Sequence, residues 1–167
     1  MKIVMVGTGY VGLVSGLCFA EFGFETVCID KDQNRLQNII KGKSPFYEPG
    51  LDELLNKHIN STKLLKLSSN LPKEVKEAKV IFITVGTPSR RLVDDADLSS
   101  VYDVVREIAA NIDSYSVIVT KSTVPVGTTN KIKSIISEKT SPDKFDVVAN
   151  PEFLREGSAL NDFMRPD

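Results

Sequence analysis

The 167-residue sequence has only two cysteines, a single histidine, a net charge of −1 and no long uninterrupted hydrophobic run. Each shortage removes a class of function. Two cysteines and His58 make no ligand cluster for a metal and too few bridges for a disulfide scaffold. Cys18 falls in a predicted helix and Cys28 in a predicted strand, each among apolar neighbours, where a thiol serves as a small buried hydrophobe rather than a nucleophile. His58 is expected on the surface of a helix. The Lys and Arg residues are scattered, and without a basic stripe nucleic acid is excluded as a partner. The most apolar helical stretch, residues 11–24, carries Glu21 and falls short of the roughly 20 residues that cross a bilayer. No positively charged leader precedes the apolar run at Ile3. A cytoplasmic protein with no membrane partner is expected, large enough to bury roughly 70% of its unfolded surface as one domain.

Short runs rich in Val and Ile recur at residues 3–6, 26–29, 64–67, 80–85, 117–120 and 147–149. Several are apolar throughout, as in strands covered on both faces, which indicates a parallel sheet. Between them, residues 10–22, 32–41, 51–59, 98–112 and 130–139 carry helical patterns, and one further short helix fits after Leu71. Gly23 stands where a helix end favours left-handed backbone, and Asp97 is a plausible N-cap for the helix that follows. The alternation predicts an α/β fold: a Rossmann-like, doubly wound, mostly parallel six-stranded sheet with helices on both faces. Residues 150–167 are polar and turn-rich, and read as a loop with one helical turn.

Gly7-Thr8-Gly9-Tyr10-Val11-Gly12 follows the first strand directly and opens the first helix, the context that gives a bare G-x-G-x-x-G its meaning. Gly7 allows a tight turn, Gly9 lets the backbone approach a diphosphate, and Gly12 lets the helix pack close to the sheet. The helix N-terminus offers unpaired amides to that anion. Asp30 closes the second strand eighteen residues after Gly12, where a carboxylate accepts hydrogen bonds from an adenosine ribose and repels a 2′-phosphate. NAD is therefore the expected cofactor, although Lys31 and Arg35 nearby can host a phosphate.

Four further segments lie in order along the chain: Tyr47-Glu48-Pro49-Gly50-Leu51, Val85-Gly86-Thr87-Pro88, Lys121-Ser122-Thr123-Val124-Pro125-Val126-Gly127, and Asn150-Pro151-Glu152-Phe153-Leu154-Arg155-Glu156-Gly157. Taken alone, the first is turn punctuation and is assigned to structure before chemistry. Thr87 and Ser122-Thr123 follow strands, where their hydroxyls either bond a ligand at the carboxyl edge or cap the next helices. Glu152 and Glu156 share a face if their stretch is helical and need not if it is a loop.

Together with the glycine loop, these segments resemble the nucleotide-sugar dehydrogenases of the UDP-glucose/GDP-mannose dehydrogenase family. The ending, Glu156-Gly157-Ser158-Ala159 and then Asp162-Phe163-Met164-Arg165-Pro166-Asp167, is more similar to the UDP-glucose branch than to the GDP-mannose or UDP-N-acetylmannosamine branches. One departure stands out. Residues 89–95 lack the glycine common in the family and carry Arg90, Arg91, Val93 and paired aspartates instead.

The resemblance implies oxidation of a sugar C6 alcohol to a carboxylate with two NAD reduced, through a thioester on a cysteine of a second half. By the same resemblance Gly7, Gly9, Tyr10, Val11, Gly12, Asp30, Arg35, Thr87, Thr123 and Glu156 hold NAD. Thr123 also lies near the reacting carbon. Glu152 handles protons of water in thioester hydrolysis, and Glu152, Phe153, Leu154, Arg155 and Glu156 line the UDP-glucose. Residues 1–167 then form a single NAD-binding domain, with the family's central helix and UDP-binding domain absent and the full-length enzyme a homodimer. The alternatives are a stand-alone NAD-binding module without turnover, or the same domain of a GDP-mannose or UDP-N-acetylmannosamine dehydrogenase.

Overall fold

The computed structural model describes residues 1–88 and 96–166. Its elements run β1 (Lys2–Val6), α1 (Tyr10–Glu21), β2 (Glu25–Ile29), α2 (Gln33–Ile40), α3 (Leu51–Asn56), a π turn (Lys57–Ser61), β3 (Leu65–Ser68) and α4 (Leu71–Val75). The second half runs β4 (Val80–Ile83), α5 (Ser99–Ala109), β5 (Ser116–Thr120), α6 (Thr128–Ser137), a 3₁₀ turn (Pro142–Lys144), β6 (Phe145–Ala149) and α7 (Ala159–Met164). The strands lie in the order β3-β2-β1-β4-β5-β6 and every pairing is parallel. That order reverses direction between β1 and β4, the switch point where doubly wound sheets open a crevice.

The sheet is packed on both faces because β1 alternates its side chains. Val4 and Val6 join Val27, Ile29, Ile81, Ile83 and Ile118 under α4, α5 and α6. Ile3 and Met5 join Cys28, Phe82 and Val119 under α1, α3 and α7. Burial on both sides explains the unbroken hydrophobicity of the central strands. The helices differ accordingly. α5 buries Val101, Val104, Val105 and Ile108 on one stripe, whereas α1 is buried at eight positions around its circumference. Leu13, Leu17 and Cys18 face the sheet cluster that also takes α3 and α7.

Strand register aligns the carboxyl ends, and the ladder continues one residue beyond five of the six strands. Gly7 N–H donates to the Ile29 carbonyl, Asp30 N–H to Ser68, Thr84 N–H to Val6, Lys121 N–H to Ile83 and Asn150 N–H to Thr120, over 2.8–3.2 Å. Four residues of the sequence motifs, Gly7, Asp30, Lys121 and Asn150, are thereby set in a row along one edge, with Thr84 among them.

Several boundaries shift for local reasons. β4 ends at Ile83 rather than continuing to Val85; beyond it the Thr84 amide donates to the Val6 carbonyl, and the Thr84 hydroxyl is shared between the carbonyls of Val6 and Gly7. α5 begins at Ser99 with Leu98 in the cap position, and Asp97 accepts from the Ser99 amide from one residue further out. α6 starts two residues earlier than the sequence suggests, after Gly127 at φ +89°. Gly23, at φ +89°, ends α1 as expected.

His58 is a correction. It is 2% exposed, on the π turn that continues α3, with Nε2 2.6 Å from Glu21 Oε2 and Nδ1 2.9 Å from Thr62 Oγ1. The ring buries because both nitrogens find partners. Among the described residues no helix is long and apolar enough to cross a membrane.

Candidate functional site

The glycine loop divides its work by position. Gly7 adopts φ +112°, and a Cβ there would stand 2.8 Å from the Thr84 carbonyl oxygen. A Cβ on Gly12 would meet the Gly7 carbonyl oxygen at 1.9 Å and Thr84 Oγ1 at 2.5 Å, so only glycine lets α1 rise so close to the turn. Gly9 is the opposite case: a Cβ there would meet nothing within 4 Å. Its backbone opens onto a cavity of about 460 Å³ lined by Gly7, Thr8, Asp30, Arg35, Thr84 and Gly86 among others. The opening of α1 carries no side-chain cap, which leaves its first amides available to an anion.

Asp30 closes the same cavity. Its Oδ2 accepts from Thr8 N–H at 3.0 Å, from Thr8 Oγ1 at 2.5 Å and from Arg35 at 3.4 Å, while Oδ1 accepts from Asp32 N–H at 3.0 Å. Burial raises the carboxyl pKa, but the bonds from Thr8 and Asp32 and the Arg35 charge outweigh it and hold the group below its ordinary value. Asp30 is thus an ionised acceptor with lone-pair capacity left on Oδ1. Arg35 is committed to Asp30, which supports the acidic strand end rather than an arginine set for a 2′-phosphate.

Across the switch point, Thr87 Oγ1 donates to the Thr123 carbonyl at 3.3 Å, and Ser122 Oγ donates to the Val85 carbonyl at 2.8 Å. These hydroxyls tie the loop after β4 to the loop after β5. They do not cap α5 or α6. Thr123 itself is exposed at the edge. Residues 89–95, where the glycine is missing, lie outside the described residues.

The loop that follows β6 is not helical until α7, so Glu152 and Glu156 do not share a helical face. The Glu152 carboxylate instead accepts from the Leu154 amide of its own loop. Phe153 is 85% exposed and Glu156 is exposed, whereas Leu154 packs into the core beneath. Arg155 donates to Asp162 through Nε at 3.0 Å and through its second amino group at 2.6 Å.

Two residues of this edge go beyond what the sequence reading assigned. Lys121 is buried to 7% exposure; its Nζ donates to Asn150 Oδ1 at 3.1 Å and stands 5.6 Å from the centre of the Phe163 ring. Burial lowers its pKa, opposed by the charge of Glu152. Glu48 is 5% exposed and accepts from Tyr10 Oη at 2.6 Å and from Gly157 N–H at 2.8 Å. The turn-like residues around Glu48 concealed it, since its donors lie 38 and 109 positions away. For Lys121 the signal was an ionisable residue directly after a core strand.

Cys18 and Cys28 are both free and fully buried, and burial pushes each thiol up to about 12. Neither reaches the edge. A larger hollow of about 640 Å³, between α5 and the start of α6, contains none of the glycine loop.

Sheet order, glycine cradle and acidic strand end define a Rossmann domain of the dinucleotide-binding kind. Comparison with known proteins narrows this. The family model described as the UDP-glucose/GDP-mannose dehydrogenase family, NAD binding domain, matches residues 1–167. The chain belongs to this family and is its NAD-binding domain. It is 53% identical over 167 residues to a UDP-glucose 6-dehydrogenase of Rhizobium meliloti, covering 100% of this chain and 38% of that relative. A UDP-glucose dehydrogenase from Pyrobaculum islandicum superposes with a TM-score of 0.92 at 36% identity, over 99% of this chain and 39% of that one. A GDP-mannose dehydrogenase from Pseudomonas aeruginosa, solved as a ternary complex, gives 0.93 at 36% identity with the same coverage. The chain therefore spans about two fifths of the length of these proteins.

Proposed function

We propose that this chain is the cofactor half of a UDP-glucose 6-dehydrogenase, which oxidises UDP-glucose to UDP-glucuronate with two NAD reduced per turnover. The observation that carries this reading is one sheet edge on which the glycine cradle, Asp30, Thr87, Thr123 and the 150–156 loop are all set. UDP-glucose is favoured over the other sugar nucleotides by the 53% identity to the Rhizobium meliloti relative. The structural likeness alone treats UDP-glucose and GDP-mannose enzymes equally, so the GDP-mannose branch is the second reading.

In this reading the amides of Gly9, Tyr10 and Val11 hold the diphosphate, Gly7 and Gly12 shape the turn that presents them, and Asp30 Oδ1 takes the ribose hydroxyl. Arg35 fixes Asp30, while Thr87 and Glu156 contact the rest of the cofactor. Bound NAD supplies the hydride acceptor. Thr123 stands beside the reacting carbon, and Glu152 accepts and returns a proton of water during hydrolysis of an enzyme-bound acyl group. Residues 152–156 line the sugar nucleotide. The nucleophilic cysteine belongs to a further domain, because a thiol held near 12 in the core supplies neither the thiolate nor the access such chemistry needs. The 167 residues form one domain that is inactive alone, and the homodimer forms through the rest of the enzyme.

The test is a fluorescence titration of the folded chain with NADH. Saturable binding is expected, weakened by Asp30→Ala; no binding at millimolar cofactor, or a preference for NADPH, overturns the reading. UDP-glucose should bind barely or not at all, and micromolar affinity by calorimetry would refute the division between domains. Steady NADH production by this chain from UDP-glucose and NAD would refute the external cysteine. In a longer enzyme carrying this half, Glu152→Gln should slow turnover by about 10²- to 10⁴-fold and let a covalent adduct accumulate as a mass increase. Parental turnover without an adduct removes Glu152 from the chemistry.

A further inference from the structure

The segment around Glu48 closes a turn, with the Leu51 amide donating to the Glu48 carbonyl at 3.1 Å and Gly50 at φ +80° leading into α3. That turn sends Tyr47 outward, 85% exposed, and the Glu48 side chain inward. A turn needs no buried carboxylate, and burying one without a cation is unfavourable unless strong donors replace water. Among the described residues no ion pair includes Glu48. Its donors are all neutral: Tyr10 Oη at 2.6 Å and Gly157 N–H at 2.8 Å on Oε2, with Leu160 N–H at 3.5 Å from Oε1.

These donors come from two places with different tasks. Tyr10 is the first residue of α1 and lies inside the glycine loop, its ring held against Phe46 at a centroid distance of 4.9 Å. The Tyr10 hydroxyl also stands 3.2 Å from the Arg155 carbonyl oxygen. Gly157 and Leu160 bracket the junction between the 150–158 loop and α7. We propose, resting on the NAD-binding reading of this edge, that Glu48 is a positioning residue that couples occupancy of the glycine loop to the ordering of the loop carrying Glu152 and Glu156. Anion binding at the start of α1 fixes Tyr10. Tyr10 fixes the carboxylate, and the carboxylate fixes the amides of Gly157 and Leu160. Burial and the bond to Glu48 raise the Tyr10 phenol well above its ordinary pKa, so it remains a donor throughout the working range.

Amide hydrogen exchange of the 167-residue chain, with and without NADH, tests the coupling. In the parent, NADH should slow exchange at Gly157 and Leu160 by about fivefold or more, the lower end of coupling between distinct sites. In Glu48→Gln, which keeps shape and one acceptor oxygen, the NADH response at those two amides should fall below about twofold while the amides of Gly9 and Val11 still respond. Glu48→Ala should abolish the distal response; if that variant does not fold, Glu48→Gln decides the matter. A tie that is only structural predicts faster exchange at Gly157 and Leu160 in Glu48→Gln by the same factor with and without NADH, and that result refutes the coupling. So does a parental response that never reaches Gly157. A folded parent with no NADH response at any amide overturns the NAD-binding reading instead, and the coupling with it.

Discussion

The two flanks of the switch point are built differently. On the β1-α1-β2 side, four of five residues in each strand are buried, and the glycine loop takes its shape from backbone geometry at Gly7 and Gly12, with Thr84 and Asp30 bonding it from the strand ends. On the β5-β6 side, β6 leaves Val148 43% exposed, and the loop beyond it is held by side-chain ties: Lys121 to Asn150, Arg155 to Asp162 and Glu48 to Gly157. A site shaped by backbone tolerates change only where space is open. A site shaped by side-chain ties loosens when one tie is removed, without loss of the fold.

The largest expected effect lies in the glycine loop itself. Gly12→Ala places a methyl group 1.9 Å from a backbone carbonyl oxygen that cannot yield without moving α1 off the sheet. Overpacking typically costs about 1–3 kcal/mol, and contact with backbone puts this case at or above the upper end. Gly9→Ala meets no atom, so its stability should match the parent within about 0.5 kcal/mol while NADH affinity falls sharply. Urea denaturation beside NADH titration separates the two. Equal loss of stability in both variants would show that the loop is not divided in this way.

A second pair compares two neighbouring strands within the β5-β6 flank through packing. Ile118 on β5 is fully buried, and Ile118→Ala should cost about 2–5 kcal/mol through lost transfer energy and a residual cavity. Val148, on the neighbouring strand, is 43% exposed, and Val148→Ala should change stability by no more than about 0.5 kcal/mol. Midpoints of urea unfolding measure both. A Val148 variant as damaging as the Ile118 variant would mean that the β6 edge is packed in solution.

The same contrast explains what could be read from the sequence. The strands, the order of elements and the glycine loop were legible because their signals are local: continuous apolar runs, helical periodicity, and glycines at fixed spacing after a strand. Gly7, Gly12 and Asp30 stand where that spacing puts them. Glu48 and His58 were not legible. A carboxylate in a Tyr-Glu-Pro-Gly turn reads as exposed until Tyr10 and Gly157 arrive from elsewhere to satisfy it. His58 sits where α3 gives way to a π turn, and its partner Glu21 is 37 positions back in the chain. Burial of a polar group depends on partners distant in sequence, which no local pattern records.

The smallest expected effect falls at the far end of α1 from the glycine loop, where Glu21 meets Lys57 at 2.7 Å and His58 at 2.6 Å. The bond from Lys57, then that from His58, hold the Glu21 carboxyl below its ordinary value of 4.5. Because the folded value is depressed, the unfolded chain binds more protons in the window between the two values, and stability rises with pH there. The contribution is complete above about 4.5 and disappears as pH falls through the folded value. Glu21→Gln keeps an acceptor for both partners but removes the titrating charge. Its urea midpoint should lie below the parent's at neutral pH, and the two should converge as the solution is made more acidic. Other depressed carboxylates, Asp30 and Glu25 among them, give both proteins a shared acid slope, so the difference between the two curves is the quantity to read. NADH affinity should be unchanged, since this cluster lies at the end of α1 away from the cofactor loop. A difference that grows toward low pH would mean that Glu21 is stabilised in its neutral form. A change in NADH affinity would mean that α1 transmits between its two ends.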